Sequence, residues 1–377
     1  MNSSFINFYE FSKLHHGELK KKWLEAMEEI FTKNSFIEGP ANFALEKKLS
    51  EFFQTKYCSL VANGTDALEI ALQSLDLPPK SFVALPTVSF YASAEAICNA
   101  GHIPLFIEVD SQGLMDIDHL EKALELYPIK AVMPVHLFGL PVDTAKITQL
   151  CRSLGVSIIE DAAQAFGTLL PSTHSPLGSS GNILCLSFYP TKNLGAFGDA
   201  GAILYSEEEI HSRILSLRNH GRSPNGYALL GRNSRCDHIQ ATTLLLKFEE
   251  SLELNKKRRE IACLYHEFLA PLVSRGLELI PKEFLPTSSW HLYPLKLPQG
   301  TNKQQVLEKL KSHSIGAVGH YYAAPLPKEK TLENFLVFPK LGPSCDFTQR
   351  VICLPMHPYL TLEQIKFTCE ALASCLA

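Results

Sequence analysis

Short apolar segments alternate with helix-length amphipathic segments through the first half of this chain, and this alternation restricts the fold most. The strand-like runs are 57–61, 82–85, 103–109, 131–137, 156–159, 183–188 and 202–205. Helical spacing of apolar residues separates most of them, at 67–75, 92–100, 118–126 and 143–154. Strands and helices that alternate in this way predict an α/β fold, with a mainly parallel sheet covered by helices on both faces.

A long helical pattern at 237–271 separates the first part of the sequence from a part with shorter strands and more proline. Two helical patterns, at 18–31 and 43–53, precede the first strand. Beyond residue 271, shorter strands at 290–297 and 351–354 alternate with helices at 303–312 and 362–376, and proline is frequent. We therefore predict a large domain over residues 1–251 and a smaller C-terminal α+β domain over residues 252–377.

Charge and composition disfavour a nucleic-acid or membrane partner. The formal net charge is −4, and the basic run at 256–259 follows three glutamates in a helical pattern, which favours a solvated helix face. Neither a run of about 18 apolar residues nor an N-terminal signal pattern occurs. None of the ten cysteines forms a CxxC pair, which favours a reducing compartment. We expect a cytoplasmic protein.

One lysine follows the strand-like run 183–188 in the loop Ser187-Phe188-Tyr189-Pro190-Thr191-Lys192-Asn193. A second loop of small residues, Gly198-Asp199-Ala200-Gly201, follows closely. Small residues allow a backbone to approach a ligand, whereas an isolated loop lysine is usually a solvated surface residue. The other motifs of the chain decide between these two interpretations.

The segment Asn63-Gly64-Thr65-Asp66 opens a helical pattern. Backbone N–H groups and the helix dipole make such a terminus a site for phosphate or another anion. The alternative is an ordinary helix cap, in which the Thr65 or Asp66 side chain bonds to the helix start.

The segment Ile158-Ile159-Glu160-Asp161 ends an apolar strand in two acids, and small residues continue to Gln164 and Gly167. Ligands of open α/β sheets bind outside the carboxyl ends of the strands, so an acid there can meet a cationic ring nitrogen. A helix cap by Asp161 is the alternative. We predict no metal site, because Asp161 has no histidine or glutamate neighbour at ligand spacing.

The loop lysine, the helix terminus and the strand-end carboxylate are together the groups that pyridoxal 5′-phosphate requires. Its phosphate needs a helix terminus, its ring nitrogen needs a carboxylate, and its aldehyde needs a lysine. Phe90, an aromatic residue directly before a helical pattern, can lie against the ring.

The chain resembles the DegT/DnrJ/EryC1/StrS family of sugar aminotransferases, which are pyridoxal-phosphate-dependent enzymes of fold type I. The resemblance extends from residue 6 to near the C-terminus. Four ordered motifs carry it, at 63–68, 160–164, 187–193 and 233–235. It implies an aspartate-aminotransferase-like fold, with a mixed, mainly parallel sheet of the seven-stranded type in the large domain.

The resemblance also implies a role for each site residue. Lys192 would bond to the cofactor and carry protons, which requires a pKa lowered by burial and by the cationic cofactor. Asp161 would pair with the ring nitrogen, Gln164 would contact the ring's phenolic oxygen, and Phe90 would stack on the ring. The residues implied for the phosphate are Gly64, Thr65, Asp66 and Ser187, together with Asn233 from the neighbouring subunit of a homodimer with shared active sites. The residues implied for the substrate are Tyr189, Arg235, His320 and Tyr321.

The implied reaction moves an amino group from L-glutamate to a nucleotide-linked keto-sugar, for cell-surface polysaccharide or glycan biosynthesis. The segments 193–199 and 231–237 resemble those of family members that act on 3-keto sugars, so the resemblance implies a 3-keto sugar, with a 4-keto sugar as the alternative. Tyr322 stands where proline is usual in the family, so the sugar contacts near 320–327 depart from its pattern. Lys192 disfavours a sugar dehydratase, whose relatives carry histidine there, and the complete cofactor set disfavours a non-catalytic regulator.

Overall fold

The computed structural model describes residues 5–13, 17–319 and 321–376. The helices of the described chain are α1 (Gly17–Lys33), α2 (Pro40–Phe53), α3 (Gly64–Ser74), α4 (Tyr91–Asn99), α5 (Ile117–Leu126), α6 (Thr144–Arg152), α7 (Glu208–Leu217), α8 (His238–Leu269), α9 (Lys303–Ser312), α10 (Pro343–Arg350) and α11 (Leu362–Cys375). The strands are β1 (Tyr57–Val61), β2 (Phe82–Pro86), β3 (Ile103–Ile107), β4 (Ile129–Val132), β5 (Ser157–Asp161), β6 (Ile183–Ser187), β7 (Gly201–Tyr205), β8 (Arg222–Ser223), β9 (Gly226–Tyr227), β10 (Glu278–Leu279), β11 (Tyr293–Lys296), β12 (Leu336–Phe338) and β13 (Val351–Leu354).

Eight strands form one large sheet in the order β1-β7-β6-β5-β4-β2-β3-β12. Strand β7 is antiparallel to both of its neighbours, and the other pairs are parallel. Seven of the strands come from residues 57–205, which confirms the predicted α/β fold with a mixed, mainly parallel sheet. The eighth, β12, is supplied by the C-terminal part of the chain and pairs with β3.

Alternate residues of the central strands pack on opposite faces of this sheet. In β2, Val83 and Leu85 join the apolar cluster that includes helices α3, α4 and α7, whereas Ala84 joins the cluster that includes α5, α6 and part of α8. Burial on both faces explains why the strands read as continuous apolar runs.

The strand predicted at 131–137 is shorter than expected. Strand β4 ends at Val132, and the chain then passes through Pro134, which has no N–H to donate to a ladder. The segment still follows the sheet, because the Met133 N–H donates to the Ala84 carbonyl oxygen at 2.7 Å and the His136 N–H donates to that of Asp161 at 3.0 Å.

A second, antiparallel sheet of β10, β11 and β13 forms in the C-terminal part of the chain. Helix α8 passes position 252 without a break, so the proposed division into residues 1–251 and 252–377 lies inside a helix and stays a prediction. No helix of the described ranges is long and apolar enough to cross a membrane.

The basic run at 256–259 is only partly the solvated helix face that was expected. Lys256 is exposed, but Arg258 is buried and donates to the carbonyl oxygens of Trp290 at 3.2 Å and Met356 at 2.8 Å. Burial lowers the pKa of Arg258 to about 10. Arg259 also donates to backbone carbonyl oxygens. The two arginines therefore connect α8 to other segments of the chain through hydrogen bonds.

Candidate active site

The carboxyl ends of the parallel strands β1, β2, β5 and β6 lie at one edge of the large sheet, and most of the predicted site residues follow these ends. Gly201, the first residue of β7, is paired with both Val61 and Ser187. This pairing brings the start of α3 beside the end of β6. A β-carbon added to Gly64 would lie only 2.7 Å from Cβ of Ser187, so glycine is required for this close approach.

The first turn of α3 forms a cradle for an anion. Asn63 is the N-cap, and its Oδ1 accepts the Asp66 N–H at 2.8 Å. The alternative of a cap by Thr65 or Asp66 is therefore wrong, and the backbone donor expected at Asp66 is already bonded within the cap. An α-helix leaves the N–H groups of its first turn without intrahelical acceptors, so Gly64 and Thr65 can donate to a phosphate.

Asp161 is the last residue of β5, and its carboxylate is buried. Its Oδ2 accepts from the Ser93 hydroxyl at 2.7 Å, and its Oδ1 accepts from the Ala163 N–H at 3.1 Å. Two donors hold the carboxylate in one orientation at the strand end, and Asp161 is the N-cap of none of the helices in the described ranges. Ser93 was not predicted, and it lies in the first turn of α4 next to Phe90.

Glu160 points away from this site, because neighbouring residues of a strand face opposite sides of the sheet. It is fully buried and accepts from His136 Nε2 at 3.0 Å, with Ser180 and Asn182 each donating at 2.7 Å. The Val142 N–H donates to His136 Nδ1 at 3.1 Å, so the ring proton is on Nε2. Glu160 therefore belongs to a structural network.

Lys192 lies in a tight turn, in which its N–H donates to the Tyr189 carbonyl oxygen at 2.8 Å. Burial lowers the pKa of its amine from 10.5 to about 8, and the negative charge of Asp161 partly opposes this effect. The amine therefore gains and loses a proton close to neutral pH, which is the property that proton transfer requires.

Asn193 anchors the loop that carries Lys192. Its Nδ2 donates to Asn255 Oδ1 at 2.7 Å and to the Ser289 carbonyl oxygen at 2.8 Å, and its Oδ1 lies 3.2 Å from Nδ1 of His291. Burial, followed by the positive charge of Lys192, holds the pKa of His291 well below its usual range. His291 was missed, because its segment carries no local motif and only packing brings it to the lysine loop.

The amide of Gln164 is held from two sides. Its Oε1 accepts from the Phe138 N–H at 2.6 Å, and its Nε2 donates to the Tyr322 hydroxyl at 2.7 Å. In the sequence Tyr322 differs from its neighbours only as a departure from the implied family pattern, and the structure connects it to a predicted cofactor residue.

Three predicted aromatic residues leave much of their rings open to solvent. Phe90, the N-cap of α4, is 63% exposed, and Tyr189 and Tyr321 are also exposed. The Tyr321 hydroxyl lies 3.1 Å from that of Tyr9, which belongs to the N-terminal segment and was not predicted. His320 lies outside the described residues.

Asn233 and Arg235 lie at the surface, in the loop before α8. Arg235 Nε donates to Asn233 Oδ1 at 3.2 Å, and Asn233 is exposed. Between them, buried Ser234 accepts the Ala62 N–H at 3.1 Å, and Arg232 contacts the Asp66 carboxylate at 3.4 Å. The loop therefore lies beside the start of α3, and within the described residues no hydrogen bond joins Asn233 to Lys192.

These groups suit pyridoxal 5′-phosphate. The first turn of α3 packs closely against Ser187 and offers N–H donors to a phosphate. Asp161 offers a buried carboxylate to a protonated ring nitrogen, and Lys192 offers an amine with a pKa near neutrality to an aldehyde.

Comparison with known proteins agrees with this site. The model of the DegT/DnrJ/EryC1/StrS aminotransferase family matches residues 18–373. The chain is 34% identical over 359 residues to UDP-N-acetyl-3-dehydro-alpha-D-glucosamine 3-aminotransferase of Acidithiobacillus ferrooxidans, covering 94% of this chain and 93% of that protein. It is 32% identical over 367 residues to UDP-2-acetamido-2-deoxy-3-oxo-D-glucuronate aminotransferase of Pseudomonas aeruginosa, covering 96% and 98%.

The fold also matches that of a solved structure with a bound cofactor. NtdA from Bacillus subtilis with bound cofactor PMP superposes with a TM-score of 0.89 at 28% identity, covering 100% of this chain and 86% of that one. The chain therefore belongs to the DegT/DnrJ/EryC1/StrS aminotransferase family and is a pyridoxal-phosphate-dependent aminotransferase of fold type I.

Proposed function

We propose that this protein transfers an amino group from L-glutamate to the C3 carbonyl of a nucleotide-linked sugar. One observation carries the proposal: an amine with a pKa near neutrality, Lys192, and a buried carboxylate, Asp161, lie together at the ends of β5 and β6. The names of both curated relatives described above specify a UDP-linked sugar with an oxo or dehydro group at C3, which supports C3 over the alternative C4.

In this proposal residues of the chain contact four parts of the cofactor: its phosphate, its ring nitrogen, its ring face and its phenolic oxygen. The N–H groups of Gly64 and Thr65 and the hydroxyl of Ser187 bind its phosphate, and Asp161 keeps its ring nitrogen protonated. When bound, pyridoxal phosphate supplies an aldehyde that bonds to an amine and a ring that withdraws electrons from the adjacent carbon. Phe90 lies against the ring, and Gln164 faces its phenolic oxygen.

Lys192 carries the proton in both halves of the reaction. Its neutral Nζ would remove a proton from the α-carbon of glutamate and deliver it to C4′ of the bound cofactor, and in the second half it would take a proton from C4′ and deliver it to C3 of the sugar. Because its pKa is about 8, the amine can act as a base and then as an acid without a large cost in either step. Asn193 keeps the loop in place while Nζ moves between these positions.

The proposed functional unit is a homodimer with shared active sites, in which Asn233 reaches the phosphate bound by the other subunit. The exposure of Asn233 beside the start of α3 supports this role. Mixing Lys192→Ala with Asn233→Ala subunits tests it, because each mixed dimer would contain one intact site and one doubly altered site. Random mixing should restore about a quarter of wild-type activity, and no recovery after confirmed subunit exchange would refute shared sites.

The substrate assignment is tested with isotope-labelled glutamate and a panel of UDP- and dTDP-linked sugars that carry a ketone at C3 or C4. We expect label in the amino group of a 3-keto sugar, detected by mass spectrometry and located by NMR, and no label with Lys192→Ala. Label only in 4-keto sugars would establish the alternative. We place the reaction in the cytoplasm, as part of glycan biosynthesis, on the cysteine composition and the family resemblance.

A further inference from the structure

Tyr322 is a buried tyrosine that the roles described so far do not use. Only 4% of the residue is exposed. Its ring packs edge to face against Phe138, with the ring centroids 5.4 Å apart. The family resemblance implies proline at this position, so the Tyr322 hydroxyl is a departure from the implied pattern.

The hydrogen bonds of Gln164 determine whether the Tyr322 hydroxyl donates or accepts in its contact with Gln164. The Phe138 N–H can only donate, so the amide atom that faces it must be the oxygen Oε1, at 2.6 Å. The amide nitrogen Nε2 therefore faces Tyr322, at 2.7 Å, and the Tyr322 oxygen accepts this bond. The proton of the Tyr322 hydroxyl must point in another direction.

That proton has no partner within the part of the chain that the structure describes, since the bond from Gln164 is the hydrogen bond found for this hydroxyl there. Burial raises the pKa of Tyr322 above its usual range, so the hydroxyl keeps its proton and acts as a donor. A buried donor without an acceptor is unfavourable. A bound molecule that places an acceptor beside Gln164 would remove this cost.

We propose that the Tyr322 hydroxyl donates to the same ring oxygen of pyridoxal phosphate that Gln164 faces. This proposal rests on the role of Gln164 in the proposed function. Gln164 Nε2 has a second N–H and Tyr322 has its O–H, so two donors stand 2.7 Å apart at one place. An oxygen with a negative charge accepts both bonds, whereas a protonated phenol would need an acceptor for its own proton.

A donor to this oxygen changes the proton affinity of the nitrogen that joins Lys192 to the cofactor. While that nitrogen is protonated, its own N–H balances the charge of the oxygen. Once that nitrogen is unprotonated, the negative charge of the oxygen is stabilised by the hydrogen bonds from Gln164 and Tyr322. The Tyr322 hydrogen bond therefore favours the unprotonated form and lowers the pKa of the nitrogen.

The test is a pH titration of the visible absorption band of the holoenzyme without substrate. Tyr322→Phe keeps the ring that packs against Phe138 and removes only the hydroxyl. We expect it to raise the midpoint of the titration by about one pH unit. Tyr265→Phe is the matched control, because Tyr265 is also buried but its hydroxyl donates to the Pro355 carbonyl oxygen at 2.9 Å. Its midpoint should equal that of the wild type.

The thermal midpoint of each variant shows whether it is folded. An unchanged titration midpoint in folded Tyr322→Phe would overturn the proposal, as would an equal shift in Tyr265→Phe. A change confined to the KM for the sugar would also overturn it, because the hydroxyl would then serve the substrate. Failure of the proposed function looks different, since the wild-type band itself would then not respond to glutamate.

Discussion

Replacing Lys192 with methionine should abolish amino transfer and make the cofactor-free protein more stable. Burial lowers the pKa of the amine from 10.5 to about 8, so at pH 7 the unfolded chain binds this proton more tightly than the folded chain. The difference between the two pKa values corresponds to about 3 kcal/mol of lost stability at pH 7. Because the side chain is only partly buried, we expect a gain of about 1–3 kcal/mol for Lys192→Met.

The stability gain of Lys192→Met over the wild type should decrease as the pH rises. Between pH 8 and pH 10.5 the folded protein has released the Lys192 proton while the unfolded chain still holds it. The contribution of Lys192 to the free energy of unfolding of the wild type therefore rises with pH between these two values. Methionine has no proton to release, so the advantage of the variant should fall to below about 1 kcal/mol at pH 10.

Urea unfolding of the cofactor-free proteins at pH 7 and pH 10, followed by circular dichroism, measures both effects. Lys47→Met is the control, because the Lys47 side chain is 76% exposed, and its replacement should change the free energy of unfolding little at either pH. A lower stability of Lys192→Met than of the wild type at pH 7 would refute the destabilising effect of the buried amine. An equal gain at the two pH values would refute it as well, because the effect would then not come from the buried amine.

Three further substitutions examine the site and its supports. Asp161→Asn keeps the shape of the side chain but loses its charge, so turnover should fall by about 10–100-fold without a change in circular dichroism; near-normal turnover would contradict its role. Asn193→Ala removes the anchors of the lysine loop, so kcat should fall about tenfold, and a loss of stability with unchanged kcat would count against positioning. Arg258→Met leaves two buried carbonyl oxygens without their donor and should lower the free energy of unfolding by about 2–4 kcal/mol; Lys256→Met, in the same basic run, should change it little, and equal effects would contradict the buried role.

The class of the fold could be predicted from the sequence because it depends on local patterns. A strand buried on both faces must be apolar along its length, and a helix against a sheet must be apolar on one side. Both patterns recur from residue 57 to residue 205. Strand β12 was missed because it has only three residues, too few to show a period, and it is a strand only because β3 offers it an edge.

Part of the site could also be predicted, because each cofactor group needs a particular chemical type next to a turn. The loop of Lys192 and the strand end at Asp161 carry such residues in consecutive stretches. The same reasoning could not identify the cap of α3. Asn63, Thr65 and Asp66 are all capping residue types, and only the backbone geometry shows that Asn63 accepts the hydrogen bond.

The sequence by itself determined the alternation of strands and helices, the lysine, and the motifs that surround it. Only the tertiary structure decided which distant side chains complete the site. Ser93 reaches Asp161, His291 reaches Asn193, and Tyr322 reaches Gln164. The physical reason is that a local pattern records which face of a helix or strand is buried, whereas these contacts depend on how separate segments pack. A hydrogen bond requires its donor and acceptor within about 3 Å, and only the packed chain brings these groups that close.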